Sequence, residues 1–241
     1  MKIKNNFGWS IFEIAIVCFI ALFFISITYN AGKIIKMSRL SNAINITSQA
    51  FFIEDDSLVL WLETSSMSKN VKKGTEIIND WKDLSKNKIN LTTNSGTLDF
   101  NESKVYSAIK AIKFNGSNYL ETSTPLNVDE YTAIIVATGD NASASSQIIS
   151  SGFVITSGEI DNNKITFIKN NGTTKSSKKI NQSNFTNIAS HSDNLTTSPS
   201  NMYIGKNSFK GEILEIIVFD KILTNKEILK MEEYLNNKYR R

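Results

Sequence analysis

Apolar and polar positions divide this chain into three textures. Residues Ile11 to Ile27 read IFEIAIVCFIALFFISI, an almost unbroken apolar run with one charge, Glu13. With Trp9 and Tyr29 as flanks the run reaches about 20 residues, enough to cross a ~30 Å hydrocarbon core as a helix. Beyond it, Ile34, Met37, Ser41, Ile44, Ser48 and Phe51 recur at alternating spacings of three and four and draw one helix face, which Ile35, Leu40 and Ala43 widen. From Ser57 onward short β-like runs alternate with clusters of Asn, Gly, Ser and Asp. The runs are Leu58–Leu62, Ala111–Phe114, Tyr119–Thr122, Thr132–Ala137, Gln147–Ser150, Phe153–Ser157, Lys164–Lys169, Asn201–Ile204 and Ile213–Phe219. Phe114 and Tyr119 flank Asn115-Gly116-Ser117-Asn118, which reads as a hairpin loop with a glycine available for positive φ.

The chain closes on a helix. Thr224 followed by Glu227 makes a capping box, and Ile228, Met231, Tyr234 and Leu235 supply its apolar stripe. Many short antiparallel strands with turn clusters between them indicate a sandwich or jelly roll. The expected fold is therefore mainly β: a long N-terminal helix, transmembrane and then amphipathic, an antiparallel β-sandwich, and a short C-terminal helix.

Composition narrows the function classes. The 241 residues are 41% hydrophobic and 21% charged, ordinary globular usage, so wholesale disorder is excluded. The net charge of +4 is small and no lysine/arginine block interleaves with aromatics, so no nucleic-acid partner is expected. One cysteine, Cys18, lies inside the apolar run, and no intramolecular disulfide can form.

Glu13 is the informative residue of the run. A carboxylate within a membrane helix costs a few kcal/mol or more, so it either snorkels to the headgroups or has a partner. A secretory signal peptide has a shorter apolar stretch, about 7–15 residues, and a small-residue cleavage site, whereas no Ala-x-Ala follows here. Val17 before Cys18 is too bulky for a lipoprotein signal.

The context of Glu13 is Lys2-Ile3-Lys4-Asn5-Asn6-Phe7-Gly8, then Trp9-Ser10-Ile11-Phe12 and the apolar run. Over residues 1–53 this resembles type IV prepilins and the pseudopilins of type II secretion. The resemblance implies a leader over 1–8 that a prepilin peptidase removes after Gly8. Trp9 would become the methylated N-terminus and Glu13 the fifth mature residue, the assembly contact with other pilin or pseudopilin subunits. The departures are Trp9 for phenylalanine or methionine, Ser10 for threonine and Phe12 for a branched aliphatic. The implied domains are the leader, a pilin-like helix over 9–53 (membrane-spanning at about 9–29) and a head over 54–241. The implied place is the bacterial inner membrane, single-pass, with the N-terminus cytoplasmic before processing and the head periplasmic or extracellular. Lys33, Lys36 and Arg39 lie just past the apolar run on the outer side, against the positive-inside rule.

The head resembles laminin-G-like, concanavalin A-like jelly rolls. The carrying residues are Leu58-Val59-Leu60-Trp61-Leu62, Asn79-Asp80-Trp81-Lys82-Asp83-Leu84-Ser85, Ile112 to Leu120, and Gly211 to Asp220 with the helix through Tyr239; residues Asn141 to Ser200 match poorly. Such domains bind glycans or proteins, and the fold alone does not establish which.

Catalysis is not expected. The Glu-x-Asp-x-x-Glu pattern of retaining glycosidases on this fold is nearly present at Glu159-Ile160-Asp161-Asn162-Asn163, but Lys164 replaces the final carboxylate. His191, the one histidine, sits in a polar stretch, which removes histidine triads and histidine-rich metal sites. No resident cofactor is expected. Calcium is the open question: Asp80 and Asp83 are close in a polar loop and Asp55-Asp56 precede the first strand, yet no ligand set has recognisable spacing. Trp61 and Trp81 are the aromatics suited to stack on sugar rings, Trp61 reading as core and Trp81 as the candidate. Trp81, Asp80 and Asp83 are thus the candidate ligand-binding residues. The expected function is a minor pilin or pseudopilin with a glycan- or protein-binding head, the alternative being a single-pass adhesin that never enters a filament.

Overall fold

The computed structural model describes residues 10–67, 77–95, 97–106, 108–139, 146–160, 165–188 and 201–239. Gly8 with the rest of the leader, and Trp9 after it, lie outside the described residues, as do Asp161 to Lys164 and His191. The chain forms two compact units, Met1–Arg39 and Leu40–Arg241.

Helix α1 runs from Ile11 to Ser48. It starts on a reciprocal capping box: the Glu13 amide donates to Ser10 Oγ at 3.2 Å and the Ser10 amide donates to Glu13 Oε2 at 2.7 Å. Its N-terminal half is apolar on every side, with Ile11, Phe12, Phe19 and Leu22 exposed. A helix apolar all round is stable in water only when covered, and this one is long and apolar enough to cross a membrane. Its place near the N-terminus and its apolar character are shared by signal sequences.

In the second unit the buried positions of this helix and its exit are Ala43, Thr47 and Ala50, a line at i, i+4 and i+7. That corrects the expected stripe. Ser41 and Ser48 are exposed, Ile44 is half-buried and Phe51 is 51% exposed. Small side chains allow the backbone to approach closely, and the Thr47 hydroxyl sits 3.2 Å from Ser65 Oγ while donating to the Ala43 carbonyl at 2.9 Å. Of the expected face only Ala43 is fully buried, and Ile46, outside it, packs partly buried against the same layer.

Fifteen described strands follow, then helix α2 (Asn225–Lys238). They are β1 (Leu58–Glu63), β2 (Ile77–Ile78), β3 (Asp80–Trp81), β4 (Leu91–Ser95), β5 (Leu98–Glu102), β6 (Lys110–Asn115), β7 (Tyr119–Thr122) and β8 (Tyr131–Gly139). The rest are β9 (Gln147–Ser150), β10 (Val154–Thr156), β11 (Ile165–Asn170), β12 (Lys175–Lys179), β13 (Thr186–Asn187), β14 (Met202–Lys206) and β15 (Lys210–Phe219). The larger sheet has the order β13-β12-β11-β8-β15-β6-β5-β2, and β1 pairs with β15 beside β6. The smaller has the order β10-β9-β14-β7-β4-β3. All the described pairings are antiparallel. The result is mainly β, a sandwich with a long N-terminal and a short C-terminal helix, as the sequence led us to expect.

The Phe114–Tyr119 connection is not a hairpin. β6 belongs to the larger sheet and β7 to the smaller, so Asn115-Gly116-Ser117-Asn118 arches from one layer to the other. The local turn chemistry is as expected: Gly116 has φ +93°, and Asn115 Oδ1 accepts from the Ser117 and Asn118 amides. A four-residue turn dictates reversal but not the partner of the strand that leaves it.

Two apolar layers hold the unit together. The first, between the sheets, includes Leu60, Leu62, Trp81, Phe100, Ile135 and Ile204. The second lies on the far side of the larger sheet, under α2 and the α1 exit, and includes Phe52, Trp61, Ile217, Phe219, Ile228 and Met231. The larger sheet is therefore covered on both faces, which is why β8 and β15 are near-continuous apolar runs rather than alternating ones. Phe52 is the hub of the second layer, edge-on to Trp61 (4.9 Å between centroids), Tyr234 (5.1 Å) and Phe219 (5.9 Å). Each such aromatic pair adds about 0.5–1.5 kcal/mol beyond area burial. Helix α2 carries the expected capping box, with Thr224 and Glu227 bonding reciprocally, and buries Ile228, Met231, Tyr234 and Leu235.

Candidate functional site

The expected ligand-binding trio Asp80, Trp81 and Asp83 is split by the fold. Trp81 is 0% exposed in the inter-sheet core, and its indole N–H donates to the Glu63 carbonyl at 3.0 Å. It offers no face to a sugar, a correction with a simple cause: on β3, Asp80 points out and Trp81 points in. Asp83 is also buried. Its Oδ1 accepts from the amides of Trp61 (2.9 Å) and Ser85 (2.8 Å), and its Oδ2 from Ser85 Oγ (2.6 Å) and the Ile89 amide (2.9 Å). Both oxygens are committed to pinning the loop after β3 onto β1, so Asp83 has no lone pair aimed at calcium. Asp55 bonds Ser57 and Lys221, and Asp56 pairs with Lys86. Among the described residues no group of three His, Cys, Asp or Glu is arranged to hold a metal.

Asp80 is exposed, and it opens a polar row across the outer face of the smaller sheet. Cross-strand register aligns Asp80 with Thr92, Thr92 with Glu121, Glu121 with Tyr203 and Tyr203 with Ser150. Tyr119 stands beside the row, two residues from Glu121 on β7. Its ring lies 5.8 Å from that of Tyr203, edge to face at 70°. A register shift between Thr93 and Ser95 accompanies an Asn94 amide that donates to Tyr119 Oη at 2.6 Å. Gly205 has φ +78°, which breaks the alternation of β14. Lys206 consequently comes up on the side of Tyr203, with Nζ 3.2 Å from the ring centre. This group escaped the sequence reading. Its signal was an outward tyrosine beside inward Leu120 in Tyr119-Leu120-Glu121 and another between inward Met202 and Ile204.

A cleft of about 580 Å³ lies along β12 and β13. It is lined by Glu159, Thr166, Ser177, Lys179, Gln182 and Thr186, among others. Glu159, the first residue of the near-glycosidase pattern, is held by Lys175 at 2.5 Å and accepts from the Thr156 amide at 2.6 Å. It is therefore part of a buried ion pair.

The densest polar cluster lies under α2. Glu63 and Glu215 face Lys238, whose Nζ is 3.2 Å from Glu63 Oε2 and 3.0 Å from Glu215 Oε2, all three side chains being 0% exposed. Glu215 also accepts from Trp61 Nε1 (2.8 Å), Tyr234 Oη (2.9 Å) and Tyr239 Oη (2.8 Å). Glu63 accepts from the amides of Ser65 and Ser66. Burial pushes the Glu63 carboxyl up, but the Lys238 charge and the Ser65 and Ser66 hydrogen bonds outweigh it and hold the group below its usual range. Burial and then the Glu215 charge push the Tyr234 and Tyr239 hydroxyls well up. Every carboxylate oxygen has donors and no solvent reaches them, so the cluster fastens α2 to β1 and β15.

No protein-family model matches the chain, and no curated protein sequence matches it. Solved structures do. An arabinofuranosidase complexed with arabinofuranosyl-alpha-1,2-xylobiose aligns with a TM-score of 0.50 at 8% identity, covering 79% of this chain and 61% of that one. Domain 4 of AbnA, an extracellular arabinanase from Geobacillus stearothermophilus in complex with arabinotriose, aligns at 0.42 and 12% identity, covering 68% and 98%. A mutant of Trypanosoma rangeli sialidase aligns at 0.45 and 10%, covering 84% of this chain and 38% of the enzyme. At these identities the likeness concerns the fold, and the head of this chain is a β-sandwich similar to that of the arabinofuranosidase.

Proposed function

We propose that this chain is a pilin-like subunit, a minor pilin or pseudopilin, anchored by α1 in the bacterial inner membrane and carrying a head that binds glycan or protein. The observation that supports it is the order Gly8, Trp9, Glu13 at the start of a helix whose N-terminal half is otherwise apolar on all sides. In a stack of such helices the Glu13 carboxylate meets the ammonium at Trp9 of a neighbouring mature subunit, and in low dielectric that pair sets register between otherwise featureless apolar faces. Its partners are then the prepilin peptidase and other pilin subunits. The head serves binding rather than catalysis: Glu159 is committed to Lys175.

Mass spectrometry of the N-terminus of membrane-extracted protein tests this. A mature chain starting at methylated Trp9 is the expected result, and an intact Met1 would overturn it. A second reading, a single-pass adhesin outside any filament, draws on the Ser10–Glu13 capping box, since there the carboxylate already has a partner within its own chain.

A further inference from the structure

The outer face of the smaller sheet gathers side chains that core packing does not explain. Tyr119 and Tyr203 sit on the solvent side of strands whose inward neighbours, Leu120 and Ile204, are fully buried. Each ring leaves part of its surface in water, where an aromatic loses apolar contact that an inward position would provide. The hydrogen bond from Asn94 to Tyr119 Oη and the ammonium of Lys206 over Tyr203 fix both rings in place. Rigid, half-exposed rings flanked by polar groups have the makings of a binding surface rather than a solvated face.

We propose that this face binds a short oligosaccharide, centred on the Tyr119 ring with Tyr203 buttressing it edge to face, and with Asn94, Glu121 and the Lys206 ammonium over Tyr203 as hydrogen-bonding residues. The inference rests on the binding-head reading above and names its ligand class and its surface. Three observations choose a glycan. The C–H face of a pyranose stacks on a tyrosine ring, while its hydroxyls need both donors and acceptors. The face supplies both: beside the rings the Lys206 ammonium and Asn94 amide donate and the Glu121 carboxylate accepts, and two strands from β7 along the row the Asp80 carboxylate accepts as well. The backbone groups of β7 and β14 are taken up by pairing with β4 and β9 and with each other, so an extended peptide finds no free ladder here. The polar row from Asp80 to Ser150 crosses four strand spacings, about 19 Å, which suits several linked sugars better than one.

The test uses the full-length chain in nanodiscs of phosphatidylethanolamine and phosphatidylglycerol, which carry no sugar headgroup. The probe is a panel of defined neutral and sialylated oligosaccharides, with affinity for each retained glycan measured by titration. Wild-type protein should retain at least one, Tyr119→Ala should lose about tenfold or more in affinity, and Asn94→Ala several-fold. Gln182→Ala, in the cleft along β12 and β13, should bind as wild type. Asn94 is exposed and outside the core, so its variant keeps the test decisive if Tyr119→Ala unfolds, which circular dichroism reports. Binding unchanged by both Tyr119→Ala and Asn94→Ala would overturn the site and leave the glycan-binding head standing. Retention of no glycan by the wild type would overturn the ligand class itself, without touching the membrane-anchor reading.

Discussion

Glu63 and Glu215 stand directly opposite each other on adjacent antiparallel strands, both fully buried, and share the ammonium of Lys238. Like charges in register destabilise a strand pair unless something compensates. The compensation comes from α2, whose last turn delivers Lys238 and Tyr234 and whose C-cap is Tyr239. The strand pair and the C-terminal helix thus depend on one another.

Removing the cation should be far more damaging than its single charge suggests. Lys238→Met leaves two buried carboxylates facing each other, and we expect a loss of about 3–5 kcal/mol in urea unfolding. A change within 1 kcal/mol (about the size of a surface substitution) would show that the cluster carries no such weight.

The same cluster sets two pH edges. Glu63 has its folded pKa below its ordinary value of 4.5, so its contribution is present above that value and lost as pH falls through the folded one. Tyr234 and Tyr239 have folded values above their ordinary 10.0, so their contribution holds below 10.0 and is lost as pH climbs from there. Unfolding free energy measured against pH should decline on both sides, and Tyr239→Phe should soften the alkaline edge alone.

Gly205 should tolerate no side chain. Its φ of +78° favours glycine, and a Cβ there would lie 2.2 Å from the Phe114 ring. Gly205→Ala is expected to cost about 1–3 kcal/mol from the backbone and a similar amount from overpacking, read as a lower urea midpoint.

Ser10 and Glu13 can be separated experimentally. Ser10→Ala breaks the capping box but keeps the carboxylate, while Glu13→Ala removes both. If Glu13 acts between subunits, co-purification with partner pilins survives Ser10→Ala and fails for Glu13→Ala, with membrane insertion intact in each. Equal failure of the two would assign Glu13 to helix capping instead.

Asp83→Ala is expected to destabilise by about 1–3 kcal/mol, because it orphans the buried amides of Trp61 and Ile89. Calcium added to the wild type should leave its melting temperature unchanged, since both Asp83 oxygens are already engaged. A calcium-dependent rise that Asp83→Ala abolishes would contradict this.

The sequence by itself determined the elements whose signals are local. The apolar length of α1, the Thr224–Glu227 cap and the nine apolar strand runs follow from residue type and spacing, and the structure places an element at each. Strands such as β12, with the sequence Lys-Ser-Ser-Lys-Lys, were invisible because a run of polar residues carries no apolar period. Only the tertiary structure decided which sheet each strand joined, and so which way its side chains faced. The Asn115–Asn118 turn joins layers rather than neighbouring strands, and a two-residue strand turns Trp81 into the core and leaves Asp80 outside. Within the second unit, helix residues Ala43 and Thr47 are the fully buried ones, with the larger Ile46 only partly buried beside them. The physical reason is common to all three. Local chemistry sets φ, ψ and periodicity, but the choice of partner depends on burial summed over residues far apart in the chain, and no short window of sequence contains that sum.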